Sequence, residues 1–160
     1  MISSIEHTIF GGLISGIVAT AVMTLSEIPS WRKWGLLGVF EWHENQLLAA
    51  RFFNIPRKKV NFKYIFFLHF LNGSLAGIVF PLILSIIQVP IKWDYTLMLS
   101  VAYGFALWIA TLVTIHKPIT GYSVWNHELG RLPAIASLIG HLVYGLVLGI
   151  VIMIIVNLNW

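Results

Sequence analysis

The chain has 160 residues, 58% of them hydrophobic and only 10% charged, with a mean hydropathy of +0.86. That balance leaves too little polar surface for a water-soluble globule, and the lack of cysteine excludes structural disulfides, c-type haem attachment, iron–sulfur clusters and thiolate metal sites. The formal net charge of +4 belongs to short connections rather than to a basic domain, which argues against nucleic acid as a partner.

Four stretches, residues 8–26, 64–89, 95–115 and 132–160, carry no formal charge. Each has about 20 or more residues, enough at ~1.5 Å of rise per residue to cross a hydrocarbon core about 30 Å thick. Their apolar character is continuous rather than alternating, so they read as helices and not as strands of a barrel. The expected fold is an all-α four-transmembrane-helix bundle, one domain over residues 1–160, with spans at about 8–27, 64–89, 95–116 and 132–158.

The first span is preceded by Glu6 and by no Lys or Arg. A cleavable leader needs a basic start, so this segment reads as a transmembrane helix. It carries the small-residue ladder Gly12, Gly16, Thr20 and Thr24. The connection that follows is too long for a simple turn. Its centre, residues 39–53, lacks Gly and Pro and mixes Val39, Trp42, Ala49 and Phe53 with Glu41, Glu44 and Arg51. This predicts a short helix lying on the membrane surface and ended by Pro56.

Span two contains His69-x-x-x-Gly73-x-x-x-Gly77, with a kink expected at Pro81. The short turn at residues 90–94 predicts that spans two and three are antiparallel neighbours. Span three carries the looser series Ser100, Gly104 and Trp108. Span four repeats the span-two pattern as His141-x-x-x-Gly145-x-x-x-Gly149, and Tyr144-Gly145 echoes Tyr103-Gly104. The connections echo one another too, Trp42-His43-Glu44 against Trp125-Asn126-His127-Glu128. Together these features predict two related helix–loop–helix hairpins in parallel orientation. Gly12, Gly16, Gly73, Gly77, Gly104, Gly145 and Gly149 are expected to let helix backbones approach closely, within the bundle or against another subunit.

Nine of the ten basic residues lie in the connections between spans one and two and between spans three and four; Lys92 alone lies opposite. The positive-inside rule therefore expects a cell-membrane protein with both basic loops cytoplasmic and both termini outside. Trp31, Trp34, Trp42 and Trp125 then mark the inner headgroup boundary, and Trp93 and Trp160 the outer one.

Five of the six histidines, His43, His69, His116, His127 and His141, fall toward the inner side with Glu27, Glu44 and Glu128. Ionisable groups within a membrane raise a functional hypothesis. One reading is haem b held between His69 and His141, with a glycine one turn from each leaving room for the porphyrin. Another is a transition-metal centre drawing on His43, Glu44, His69, His116, His127, Glu128 and His141, although neither HExxH nor ExxH spacing is present. Against both stands helix capping, loop bonding or headgroup contact by the same side chains, with no cofactor at all. There is no Walker loop and no Gly-x-Ser-x-Gly elbow. The spans themselves show no acid–base series like that of a proton-coupled pump, while His69, Asn72, Thr20 and Thr24 offer a polar path for a small channel or carrier.

The stretch Gly11-Gly12-Leu13-Ile14-Ser15-Gly16-Ile17-Val18-Ala19-Thr20-Ala21-Val22-Met23-Thr24 resembles the opening helix of small, uncharacterised four-helix membrane families of archaea and bacteria. The compact build without an extramembrane domain is also similar to accessory subunits of respiratory or ammonia/copper monooxygenase complexes. That likeness implies a subunit without catalytic activity, packed among lipid and larger integral membrane partners. The competing expectation is an autonomous metal- or haem-binding protein using the inner His and Glu residues.

Overall fold

The computed structural model describes residues 2–121, 123 and 127–158, so Trp125, Asn126 and Trp160 lie outside the described residues. Within them the chain is helical, and four helices are long and apolar enough to cross a membrane. The first, α1, runs Ile2–Trp34 and a 3-10 turn, Gly35–Gly38, leads to α2, Phe40–Phe52. Next come α3, Phe62–Ile86, and α4, Trp93–Ala110. The α4 helix continues without interruption through a π-helical turn, Thr111–His116, into α5, Lys117–Thr120. The last helix, α6, covers Leu132–Asn157.

Helix ends follow local chemistry. Asn61 caps α3 by accepting the Lys63 amide at 3.0 Å, and Gly121, at φ +77, closes α5 in the left-handed region. The α3 helix continues through Pro81, whose ring lies against Gly12 of α1.

The spans follow one another around the bundle, α1 to α3 to α4 to α6 and back to α1. Three of these four contacts are continuous: α1 with α3, α1 with α6, and α4 with α6. Small residues permit two of them. A Cβ on Gly16 would stand 2.6 Å from the Gly73 carbonyl oxygen, and one on Gly12 2.7 Å from that of Gly77. Gly104 and Gly145 meet the α6 and α4 backbones at His141 and Ser100 in the same way, and Gly149 meets the Ser100 side chain. The core proper is formed by Ala19, Met23, Phe80, Leu84, Tyr144, Leu148 and Ile152.

The fourth contact departs from expectation. Although a short turn joins them, α3 and α4 do not pack along their length. They touch through the Phe80–Tyr103 ring pair, 5.1 Å between centroids, and through the Tyr103 hydroxyl, which donates to the Ala76 carbonyl at 2.9 Å. Gly73 and Gly77 of α3 are already spent on α1, and Gly104 of α4 on α6, so no small-residue ladder remains to bring this pair together.

The helix foreseen in the first connection is present, but only part of it lies at the surface. Arg51 and Phe52 are exposed, whereas Phe40 through Asn45 are buried at the mouth of the bundle. Trp42 and Val39 pack with Ile65, and Phe40 packs with Leu112 and Ala134. The two aromatic side chains gain more by entering the bundle than by lying on it.

Candidate functional site

Because α2 enters the bundle, it carries Glu41 and Glu44 into the interior, one turn apart on one helix face. Each meets an imidazole from a different helix. Glu44 Oε1 lies 2.8 Å from His116 Nδ1. Glu41 Oε1 lies 3.3 Å from His141 Nδ1 and accepts the hydroxyl of Ser137. A third pair forms between α1 and α3. Glu27 Oε2 accepts the Trp42 indole N–H at 2.7 Å and stands 3.8 Å from His69 Nε2, which also lies 3.1 Å from the Thr24 hydroxyl.

Three carboxyls and three imidazoles are thus paired one to one at the α2 end of the bundle, and all six side chains are buried. A sequence reading confined to the spans finds no acid–base series, since two of the carboxyls belong to the connecting helix. Glu41, Ser137, Asn45 and the indole of Trp42 are members of the cluster with no periodic signal of their own. A Glu-x-x-Glu spacing on a helix flanked by Phe40 and Trp42 was the available clue.

Burial costs a charged carboxylate heavily, so a proton is retained. The Glu44 carboxyl is pushed up to about 9, first by burial and then by neighbouring Glu41. His43, beside Glu44 on α2, is engaged by a different partner. The Arg57 guanidinium donates to its Nε2, and burial followed by that positive charge holds it down to about 4. Not every atom finds a partner. Among the described residues His43 Nδ1 and His116 Nε2 are buried without a hydrogen bond, whereas the Glu27 and Glu41 carboxyls are hydrogen-bonded neighbours. Unpaired groups of this kind call for a specific explanation.

A cavity of about 350 Å³ adjoins the cluster. Glu41, Glu44, Asn45, His69, Asn72 and His141 form its polar end, with Asn72 donating to Asn45 at 3.4 Å. Thr20, Met23, Leu75, Ala76, Leu107, Thr111, Ile115 and Tyr144 form the rest of its wall.

The residues proposed for a metal separate into two groups. Glu44, His69, His116 and His141 belong to the buried cluster. His43 is engaged by Arg57, His127 accepts the Leu129 amide at 3.1 Å in a turn, and Glu128 is exposed. No three of the described His, Asp and Glu side chains are grouped so as to hold a metal ion. For haem, the room offered by the glycines is filled. Gly73 faces Thr20 of α1 and Gly145 faces Ser100 of α4. In addition, the Tyr144 hydroxyl crosses from α6 to the Gly73 carbonyl at 2.7 Å.

The chain belongs to a family described as a family of unknown function (DUF6789), which it matches over residues 7–157. No curated protein and no solved structure matches it, so the likeness to oxidase or monooxygenase subunits gains no support from named relatives.

Proposed function

We propose that this member of a family of unknown function binds a small molecule inside the bilayer, at the three His–Glu pairs. The observation that carries this reading is the Glu41 carboxyl. It is held by His141 and Ser137, has the Glu27 carboxyl as a hydrogen-bonded neighbour, and lines the polar end of the cavity with Glu44, Asn45 and His69. Polar groups buried beside a cavity form stronger hydrogen bonds than they would in water, which suits them to hold the polar end of a ligand. In the proposed orientation the site lies at the cytoplasmic end of the bundle, among nine of the ten basic residues. The protein is then a small binding protein or carrier. In this reading the His–Glu pairing supplies its chemistry.

Native mass spectrometry after mild detergent extraction tests this. The expected spectrum shows the chain with a bound small molecule, and Glu41→Gln lowers its occupancy about tenfold, the loss of one charge-assisted hydrogen bond. A chain that carries no small molecule, with Glu41→Gln indistinguishable from it, overturns the proposal.

One observation favours a second reading, that of a noncatalytic subunit beside larger membrane partners. Of the four spans, the one containing α4 has the smallest share of its length buried, and Met98, Phe105 and Ile109 face outward. The same spectrum decides, since a subunit emerges in a stoichiometric multi-chain assembly that survives Glu41→Gln.

A further inference from the structure

The two helix pairs α1–α3 and α4–α6 are built alike. Gly12, Gly16 and Thr20 meet Gly73 and Gly77 in the first, as Ser100 and Gly104 meet Gly145 and Gly149 in the second. If two like hairpins stood side by side in parallel, the α1–α6 contact would recur as a contact between α4 and α3. The first contact is closed along its length; the second is open. The cavity occupies that opening. Ala76 of α3 and Leu107 of α4 line it from opposite walls, and Leu75 and Ile115 form a rim that is 53% and 36% exposed. Side chains exposed at this depth of an apolar bundle face lipid. The cavity therefore grades from a hydrocarbon-facing rim to a polar end lined by Glu41, Glu44, Asn45 and His141.

Size and charge narrow what fits. At about 350 Å³ the cavity is near the lower limit of ligand pockets, about 300–1,000 Å³, and holds a head and a few methylenes. A longer chain has to leave through the rim. A carboxylate or phosphate head would meet the buried carboxyls of Glu41 and Glu44, which disfavours it. A cationic head would surrender its hydration before reaching Glu41, which already has His141 at 3.3 Å. A neutral donor loses least.

Building on the binding reading above, the geometry points to a lateral portal between α3 and α4. Through it a single-chain amphiphile with a hydroxyl head enters from the bilayer, seating the hydroxyl against Glu41 while its tail stays in lipid.

The test uses full-length protein in phosphatidylcholine vesicles and a hexadecyl alcohol carrying a photoreactive diazirine beside the hydroxyl. The label is expected on peptides covering residues 69–76 and 107–115. Ala76→Trp, which fills the portal and leaves the polar end untouched, lowers it about tenfold, and Leu107→Phe on the opposite wall does the same should Ala76→Trp not fold. Label spread evenly over outward residues of α4 such as Met98, or unchanged in a portal variant with the wild-type unfolding midpoint, overturns the portal. Stronger labelling by the corresponding amine or acid overturns the hydroxyl assignment. Butanol, which needs no lateral entry, separates the two proposals in a saturation-transfer NMR measurement. If it binds in a Glu41-dependent way while the long probe does not label, the portal fails and the binding site stands; if neither binds, both fail.

Discussion

His116 on the π-helical turn and Glu44 on the short helix between α1 and α3 meet 2.8 Å apart, with both side chains closed off from solvent. Thr96, Ser100, Gly104, Leu112 and His116 face inward at intervals of four or, from Gly104 to Leu112, eight residues, a series that drifts around an ordinary α-helix. The wider i→i+5 turn at Thr111–His116 offsets part of that drift and keeps the imidazole pointing at α2.

The pair gives the protein a signed pH dependence. With a folded value of about 9 against an ordinary 4.5, Glu44 keeps a proton that the unfolded chain releases, so its contribution to stability declines as pH rises through that window. His43, held down to about 4 from 6.5, acts oppositely, adding stability as pH climbs from about 4 to 6.5. Above pH 6.5 the His43 contribution is complete and that of Glu44 still falls, with Glu41 and His116 as the titratable groups facing it. Thermal unfolding in detergent is expected to show a midpoint that falls between pH 6.5 and 9, and a shallower fall in Glu44→Gln. An identical slope in the variant would exclude Glu44 as its source.

The α1–α3 crossing predicts a sharp difference between two adjacent glycine sites. A methyl on Gly16 would press on the Gly73 carbonyl at 2.6 Å and on the Gly77 Cα at 3.0 Å, both backbone atoms that yield only if the helices separate. A methyl on Gly11 meets only the Ile155 side chain, at 3.5 Å. Gly16→Ala should therefore cost about 1–3 kcal/mol of unfolding free energy. Gly11→Ala should be neutral or gain up to ~1 kcal/mol in helix propensity. Equal effects in a denaturation series would show that this crossing is not held by close backbone contact.

The spans were legible because lipid imposes one rule on every residue within them. An uncharged run as long as 64–89 has to satisfy its own backbone, and α3, Phe62–Ile86, follows it closely. The site was legible only in half. His69 and His141 stand out because an imidazole in an apolar run has no bland neighbours. Glu27 and Glu44 stand out with them on the inner side, but Glu41 does not, since a charged residue in a loop is ordinarily solvated. Glu41 becomes an interior residue through Ser137 and His141, and Glu44 through His116. Pairings across such distances in the chain depend on how four helices are arranged in space, and no local pattern encodes them. The splay of α3 from α4 was hidden for a similar reason: a short turn fixes the ends of two helices, and their packing is then set by which partners their small residues already occupy.

Trp42 is expected to act on Glu27 rather than merely fill space. Its indole N–H donates to Glu27 Oε2 at 2.7 Å, on a carboxyl that also neighbours Glu41. Trp42→Phe keeps a ring against Phe66 and removes that donor, at an expected cost of about 1–3 kcal/mol. If the hydrogen bond is the cause, the double variant with Glu27→Gln should fall short of the sum of the single effects by ~1 kcal/mol or more. Additive losses would mean that the two side chains contribute independently.

The orientation of the bundle is the expectation that the charge pattern states most strongly, and the absence of cysteine makes it simple to measure. Lys and Arg resist transfer across a bilayer whose inner face is negative, so a terminus flanked by few of them is the one that crosses. Arg57, Lys58, Lys59 and Lys63 lie in the first connection, against Lys92 alone in the opposite turn. In intact cells an impermeant maleimide should label Lys92→Cys and leave Lys58→Cys unlabelled until the membrane is opened. Replacing all seven basic residues of the first connection, these four with Arg32, Lys33 and Arg51, by Gln should produce a mixed population, since Lys117 and Arg131 alone then hold the second connection inside. Labelling of Lys58→Cys from outside in the otherwise unaltered chain would invert the topology and move the His–Glu cluster to the external end.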